Sequence, residues 1–340
     1  MAAAASERHV DFLLIGGGLA SATAAEEIRK RDANGSIVLV SNEPQRPYNR
    51  PPLSKEYLRG EINDEGVYGN GGIYVHEPGW HDEHQVELLR GEAVALDPAA
   101  KTVRLADGQT ISYGKLLLAT GGRPRALKVP HADLPGIHYL RTLADADAIR
   151  QELAPGGKQV VVVGSGFIGL ETAANSLFRH AQVTIVEPQE RPWPTMLPPA
   201  LSQYIATQYQ RRGTTLRYQH SVTGFTAGEN GRVAGVQIAP VGDSAATESE
   251  TIACDLAILG VGIMLNSELA QQAGLEVDPH HGVVVNDHLQ SSAPDIYAAG
   301  DVAAYPDPVV GRMHFEHWDN AITTGQTAAA NMTGGDESYR

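Results

Sequence analysis

Cysteine is nearly missing from this sequence: Cys254 is the only one in 340 residues. A single thiol cannot close an internal disulfide, and no C-x-x-C pair is there to shuttle electrons. Cys254 lies in the apolar stretch TIACDLAILG and reads as a small buried hydrophobe. No apolar run reaches membrane-spanning length, and the start, MAAAASERHV, lacks the charged and apolar regions of a secretory signal. The expected location is therefore the cytoplasm. Positive charge is also in deficit, with 26 Lys and Arg against 40 Asp and Glu and a formal net charge of -14. That balance argues against binding nucleic acid or an anionic membrane through overall charge. Apolar residues at 42% and charged residues at 19% still allow a sizeable core, and the length fits two domains.

Against these deficits stands one well-formed stretch, VVVVGSGFIGLETAANSLFRHAQVTIVE, from Val160 to Glu187. A β-branched run feeds a full G-x-G-x-x-G at Gly164, Gly166 and Gly169. An amphipathic helical pattern and a second strand follow, and that strand ends on Glu187. This is the sequence form of a βαβ unit that holds a dinucleotide. Gly164 permits the tight turn, Gly166 lets backbone approach a pyrophosphate, and Gly169 lets helix and strand pack closely. The anion then lies on the positive helix N-terminus, and Glu187 can accept hydrogen bonds from a ribose diol.

A second, weaker version begins at the strand Val10 to Ile15. It enters Gly16, Gly17 and Gly18, with Ser21 at the third glycine position and a helix over Ala20 to Arg31. The next strand, Ser36 to Ser41, places Asn42 and Glu43 where a ribose belongs, and either could reach it. In RPYNRPPLSKEYLRG, Pro51 and Pro52 stiffen a loop and start a helix, which holds Arg50 and Lys55 in defined positions beside this first site. Glu61 to Gly79 reads as loop. His76, His81 and His84, with Glu77, Asp82 and Glu83, match no tight helical ligand spacing and read as a polar surface segment, with no metal. From Val86 to Leu118 the patterns alternate as strands, with Asp107-Gly108 at a hairpin turn, and they end in Ala119, Thr120, Gly121 and Gly122.

Arg123 to Gly157 is rich in proline and reads as a crossover with a helix over Leu143 to Leu153. After the Val160 unit come a proline-broken segment, a helix over Leu201 to Arg212, a hairpin from Val222 to Ile238 turning at Asn230-Gly231, and the strand Asp255 to Gly262. Glycine-loop unit, hairpin and buried strand thus occur twice in the same order, which implies two similar nucleotide-binding domains. The last part reads as a return to the first domain. DIYAAGDV places Asp301 at the end of a strand, where it can bind a polyol chain while Gly300 allows the approach. His314, Glu316, His317 and Trp318 precede a helix over Asn320 to Met332, whose N-terminus could stabilise negative charge.

LIGGGLAS, PYNRPPLSKEYL, ATGGRPR, GSGFIGLE, YAAGDV and EHWDNA together cover nearly the whole chain in one order. In that order they resemble the flavoprotein reductases with two dinucleotide-binding domains, in the ferredoxin reductase and apoptosis-inducing-factor branch. The resemblance implies an α/β fold of two Rossmann-like three-layer (ββα) domains. The NAD(P)H-binding domain, residues 123–256, would be inserted into a discontinuous FAD-binding domain, residues 1–122 and 257–335. It further implies that Gly16, Gly17, Gly18 and Ala20 bind FAD, with Asn42 or Glu43 near its adenosine ribose. Arg50 and Lys55 would contact FAD, with Lys55 near flavin N5 and ion-paired to Glu171. Ala119, Thr120, Gly121 and Arg125 would lie along FAD. Gly300 and Asp301 would meet its ribitol, and Glu316, His317 and Trp318 its pyrimidine edge. Gly164, Gly166, Ile168, Gly169, Glu187 and Gly262 would serve NADH, and Phe167 would pack where nicotinamide enters. Lys55, Glu171 and Phe167 are thus the implied catalytic residues.

Two departures from the family pattern stand out. Gly262-Ile263-Met264-Leu265-Asn266 replaces a G-x-x-P-N run. The family also usually continues into a C-terminal domain that covers the flavin, and residues 336–340 fall where that domain should begin, so most of it is expected to be lacking. The implied activity is NADH:acceptor oxidoreduction through FAD, with electrons leaving to a ferredoxin or rubredoxin, and a monomeric or homodimeric chain. Two alternatives are a slow, redox-sensing flavoprotein of the apoptosis-inducing-factor type and a reductase of quinones or organic radicals. Glu187 favours NADH, and Arg191, close by in sequence, leaves NADPH open.

Overall fold

A computed structural model describes residues 8–63, 72–242 and 250–339. The chain start and the middle of the expected Glu61 to Gly79 loop, residues 64–71, lie outside the described residues. The chain forms two compact units, one of Met1–Asn49, Val67–Arg123 and Met264–Arg340, the other of Arg50–Gly66 and Pro124–Ile263. The segment Arg50–Gly66, read from the sequence as part of the first nucleotide domain, belongs to the second unit. Its side chains and carbonyls explain why: Tyr57 donates to Asp147 at 2.7 Å, Asn175 Nδ2 donates to the Ser54 carbonyl at 2.6 Å, and Arg179 donates to the Arg59 carbonyl at 2.7 Å.

In the first unit five parallel strands run in the order Val86–Arg90, Ile37–Ser41, Arg8–Ile15, Thr110–Leu118, Ile296–Ala298. Runs such as Phe12 to Ile15 and Ile37 to Val40 are buried throughout, as strands covered on both faces require. Register decides where the ligand-facing loops fall. Ile15 pairs with Val40 and with Leu118, and Leu118 pairs with Ala298. The chain therefore leaves the sheet at Gly16, Asn42, Ala119 and Ala299 along one carboxyl edge, where open α/β sheets bind ligands. Two antiparallel strands, Ala93–Asp97 and Thr102–Leu105, extend the sheet beyond Thr110–Leu118, and Gly108 turns between strands at φ +92°. The helices Leu19–Arg31 and Trp318–Met332 pack on each other through Gly325, where a Cβ would strike the Ala20 carbonyl and the Thr23 hydroxyl.

The second unit repeats the plan. Its parallel strands run Thr215–Tyr218, Gln182–Glu187, Gln159–Val163, Leu256–Leu259, Ile137–Tyr139, with Val163 level with Val186 and Leu259. A separate antiparallel sheet of His220–Ala227, Val233–Pro240 and Glu250–Ala253 buries Phe225, Val236 and Ile238, with Gly231 at the hairpin turn. The fifth parallel strand comes from late in the chain in the first unit, but precedes the glycine loop in the second. The helix Leu143–Leu153 starts at a capping box, Thr142 with Asp145, which explains its sharp beginning. Residues expected to open a further domain are tied to the first unit: Tyr339 donates to Asn320 at 3.0 Å, and the Glu337 amide donates to Asn331 at 2.8 Å.

The histidine segment corrects the expectation of a polar surface. His76 and His81 are buried, because Trp80 gathers the rings around itself. His76 and His84 stack on the indole at 3.7 and 4.3 Å, and His81 meets it edge-on at 5.1 Å. Burial, reinforced by the charges His76 and Arg46 can carry, lowers His81 from the usual 6.5 to about 4. The unfolded chain then binds a proton below pH 6.5 that the folded chain refuses until about pH 4. Stability should therefore fall by about 3 kcal/mol as pH drops through that window, and level off below it. Urea midpoints from pH 7 to 4 should fall less steeply for His81→Gln than for the parent, and parallel profiles would discard His81 as a cause.

Candidate functional site

Each unit presents a glycine loop between its first strand and a helix. In the first, the Gly16 amide donates to the Val40 carbonyl at 2.9 Å, and φ +118° carries the turn. A Cβ on Gly16 would collide with the Ala119 carbonyl, and one on Gly17 with the Ser41 side chain. Only glycine lets these strand ends close. At Gly18 the situation reverses: a Cβ there would meet nothing within 4 Å, and the helix Leu19–Arg31 begins with no side-chain cap. Open space above uncapped amides fits a pyrophosphate. Ala20 is buried and Ser21 is fully buried, so the small third position still permits close packing.

Several other residues named from the sequence lie within the same unit, whereas Arg50, Lys55 and Arg125 belong to the second. Asn42 is exposed, whereas Glu43 accepts from the Tyr48 hydroxyl. Ala119 is buried at the strand end. Thr120 donates to the Asn266 carbonyl at 2.6 Å, Asn266 Nδ2 returns a bond to the Thr120 carbonyl at 2.9 Å, and the Asn266 amide donates to Gly121. This clasp was missed from the sequence. Its signal was present, because Asn266 is the asparagine of the departed G-x-x-P-N run. Gly300, at φ +73°, donates to Thr324 Oγ1 at 2.9 Å and opens the short 3-10 turn that carries Asp301.

The last helix begins at Trp318, two residues earlier than expected, because the His317 ring accepts from the Asp319 amide and caps it. Trp318 is half exposed and donates its indole N–H to Asn49 at 2.8 Å, and Glu316 is exposed.

The second loop is built more tightly. Gly164 turns at φ +97°, and its amide donates to the Val186 carbonyl at 2.7 Å. Gly164, Gly169 and Gly260 touch one another so closely that a Cβ on Gly169 would overlap the Gly164 carbonyl, and one on Gly164 the Gly260 carbonyl. Gly166, like Gly18, faces open space at an uncapped helix start. Phe167 is half exposed and its ring tilts against Trp193 at 4.9 Å, while Ile168 is partly covered. Glu187 is buried beside the loop. Arg191 turns back on its own segment, to Glu190 at 3.4 Å and the Pro194 carbonyl at 3.1 Å. Gly262, at φ +88°, accepts from the Arg125 amide at 2.9 Å, and the Arg125 side chain is exposed.

Still in the second unit, Lys55 Nζ lies 2.8 Å from Glu171 Oε2, and Ser54 Oγ donates to the same oxygen at 2.5 Å. Asn175 fastens both backbones, donating to the carbonyls of Ser54 and Glu171. Arg50 donates to the Arg141 carbonyl at 2.6 Å. Ser54 and Asn175 were not singled out from the sequence, since a serine in a loop and an asparagine in a helix carry no signal alone. Cys254 is buried and its thiol is pushed up to about 12, chiefly by burial and then by Asp255, so it is no nucleophile at neutral pH. No described helix is long and apolar enough to cross a membrane.

Known proteins share the family and the fold of this chain. A family model described as pyridine nucleotide-disulphide oxidoreductase matches residues 10–325. The chain is 37% identical over 333 residues to rhodocoxin reductase of Rhodococcus erythropolis, covering 97% of this chain and 74% of that protein. It is 35% identical over 330 residues to the anthranilate 1,2-dioxygenase system ferredoxin–NAD(+) reductase component of Burkholderia cepacia, covering 96% and 77%. The reductase in the crystal structure of the covalent putidaredoxin reductase–putidaredoxin complex superposes with a TM-score of 0.88 at 32% identity, over 96% of this chain and 77% of that one.

Proposed function

The chain belongs to the pyridine nucleotide-disulphide oxidoreductase family and is an oxidoreductase that uses FAD and NAD(H), and from that premise we propose that it passes electrons from NADH to a small iron–sulfur protein of the ferredoxin or rubredoxin kind. One observation carries the reading: two open glycine cradles stand on a chain whose only thiol is buried and protonated. FAD accepts a hydride pair from NADH and can release its electrons singly. Without a redox dithiol those electrons leave directly to an external acceptor. Relatives named for rhodocoxin, ferredoxin and putidaredoxin support an iron–sulfur carrier in that role.

In this proposal the first cradle, Gly16 to Gly18 with Ala20, holds the FAD pyrophosphate. Asn42 or Glu43 takes the adenosine ribose, and the Tyr48 bond that orients its carboxylate favours Glu43. Ala119, Thr120 and Gly121 lie along the cofactor, with Thr120 and Gly121 stiffened by Asn266. Gly300 and Asp301 meet the ribitol. Glu316, His317 and Trp318 meet the pyrimidine edge, and Arg50, Lys55 and Arg125 are further FAD contacts. The second cradle, Gly164 to Gly169 with Ile168, Glu187 and Gly262, holds NADH, and Phe167 excludes water where nicotinamide enters. The first compact unit is the proposed FAD domain, and the second, which also takes in Arg50–Gly66 and runs on to Ile263, is the proposed NAD(P)H domain. The proposed setting is the cytoplasm, which suits a lone buried thiol.

The test is an anaerobic absorption titration of the purified protein. Flavin bands should bleach on adding NADH and recover on adding an oxidised ferredoxin. Missing flavin bands, or bleaching that only a quinone reverses, would overturn the assignment. Because Glu187 presents a carboxylate where NADPH carries a phosphate, the reduction rate with NADH should exceed that with NADPH by at least about tenfold. An NADPH preference would remove Glu187 from that role.

A further inference from the structure

The loop residue Ser165 does something that the glycine pattern does not require. It is buried, and both its amide and its hydroxyl donate to one oxygen of Glu187, Oε2, at 2.6 and 2.8 Å. The other oxygen, Oε1, accepts the Gln189 amide at 2.9 Å. An ionised carboxylate offers about four lone-pair sites. Three are therefore filled by protein, both of those on Oε2 and one on Oε1. All three donors are neutral, so the charge on this buried group is oriented without being cancelled. The loop and the strand end are tied together by the same two bonds.

A carboxylate held this way has a single acceptor site left, on Oε1. That site can take one ribose hydroxyl. Toward a ribose diol the carboxylate therefore presents one open acceptor site. It also cannot swing aside to relieve repulsion from a phosphate. We propose that Ser165 is a specificity-determining positioning residue: by saturating Glu187 Oε2 it fixes the carboxylate against the nucleotide and so excludes a 2′-phosphorylated adenosine ribose. The inference rests on the proposed NADH site in this unit. Glu187 supplies the charge, and Ser165 removes its freedom to move.

The hydroxyl is the removable part of the clamp, because the Ser165 amide belongs to the loop. In Ser165→Ala, Oε2 loses one donor and the carboxylate gains rotational freedom. The affinity ratio for NAD+ over NADP+, measured on the holoenzyme by calorimetry, is expected to fall about tenfold, the worth of one bond to a charged group. Most of the change should be tighter NADP+ binding. Ser165→Thr keeps a hydroxyl and should restore the ratio to within about threefold of the parent. If Ser165→Ala does not fold, Ser165→Cys, with a weak thiol donor on a slightly larger side chain, should show the same fall. A general loosening of the loop would weaken both nucleotides alike and leave the ratio unmoved. A ratio unchanged within twofold in the folded variant overturns the clamp while leaving NADH binding intact. A parent protein that binds neither nucleotide overturns both the clamp and the functional reading beneath it.

Discussion

Gly169→Ala is expected to lower the efficiency of reduction by NADH roughly a hundredfold or more while leaving the flavin content and its reduction by dithionite unchanged. The added methyl would lie inside contact distance of the Gly164 carbonyl oxygen, and Gly260 backs the same contact from the neighbouring strand. Both are backbone, and neither can rotate away. The helix Phe167–Phe178 would have to lift, carrying Gly166 and its open helix start away from the position a pyrophosphate requires. Cofactor content, NADH titration and dithionite titration on one preparation separate the outcomes. Retention of more than a third of the parental kcat/KM would show that the glycine contact is not what shapes the pocket. Gly166→Ala is the informative contrast. Its methyl enters open space, so its effect would report ligand approach rather than packing.

That contrast also marks how far the sequence could be read. The two glycine loops, the repeated order of parts and the crossover helix were legible because each has a local cause. Strands such as Val160 to Val163 are unbroken β-branched runs, Asp107-Gly108 and Asn230-Gly231 force turns, and Thr142 starts a helix. What remained hidden depends on contacts distant in sequence. The loop that starts at Arg50 looked like part of the first nucleotide domain because it follows that domain's second strand. It is held instead by Asp147, Asn175 and Arg179, about 90 to 120 residues further on. His76 and His81 looked polar because composition says nothing about Trp80 stacking between its neighbours. The start of the last helix was misplaced for a local reason, since His317 caps it where Ser, Thr, Asp or Asn is the usual signal.

The candidate site shows the same division. Residue types at strand ends were readable one at a time, but their mutual bonds were not. Nothing in the local pattern around Ser54 or Asn175 ties them to Glu171, and nothing around Ser165 says that its hydroxyl spends itself on Glu187. The Asn266 clasp on Thr120 lay between. The residue was visible, but the missing proline of its run obscured what it does.

Glu171→Ala carries the second large effect, a slowing of flavin reduction by about a hundredfold with NADH binding changed by less than about threefold. The pair itself contributes little to the fold. Lys55 and Glu171 keep 40% and 27% side-chain exposure, so the ion pair adds about 1 kcal/mol or less to stability. A loss of two orders of magnitude in rate could not come from that. Glu171 does have one distinctive property: its Oε2 takes both Lys55 Nζ and the Ser54 hydroxyl, while Asn175 fixes the two backbones. Removing the carboxylate releases the ammonium from a defined position without disturbing the glycine cradle proposed to bind NADH. Stopped-flow reduction at rising NADH concentration separates the limiting rate from the dissociation constant. Glu171→Gln, which can still accept from Ser54 but cannot neutralise Lys55, should fall between the parent and Glu171→Ala. An unchanged limiting rate in both variants would make the pair a tie between the Ser54 loop and the helix, and would leave the hydride step to the nucleotide pocket alone.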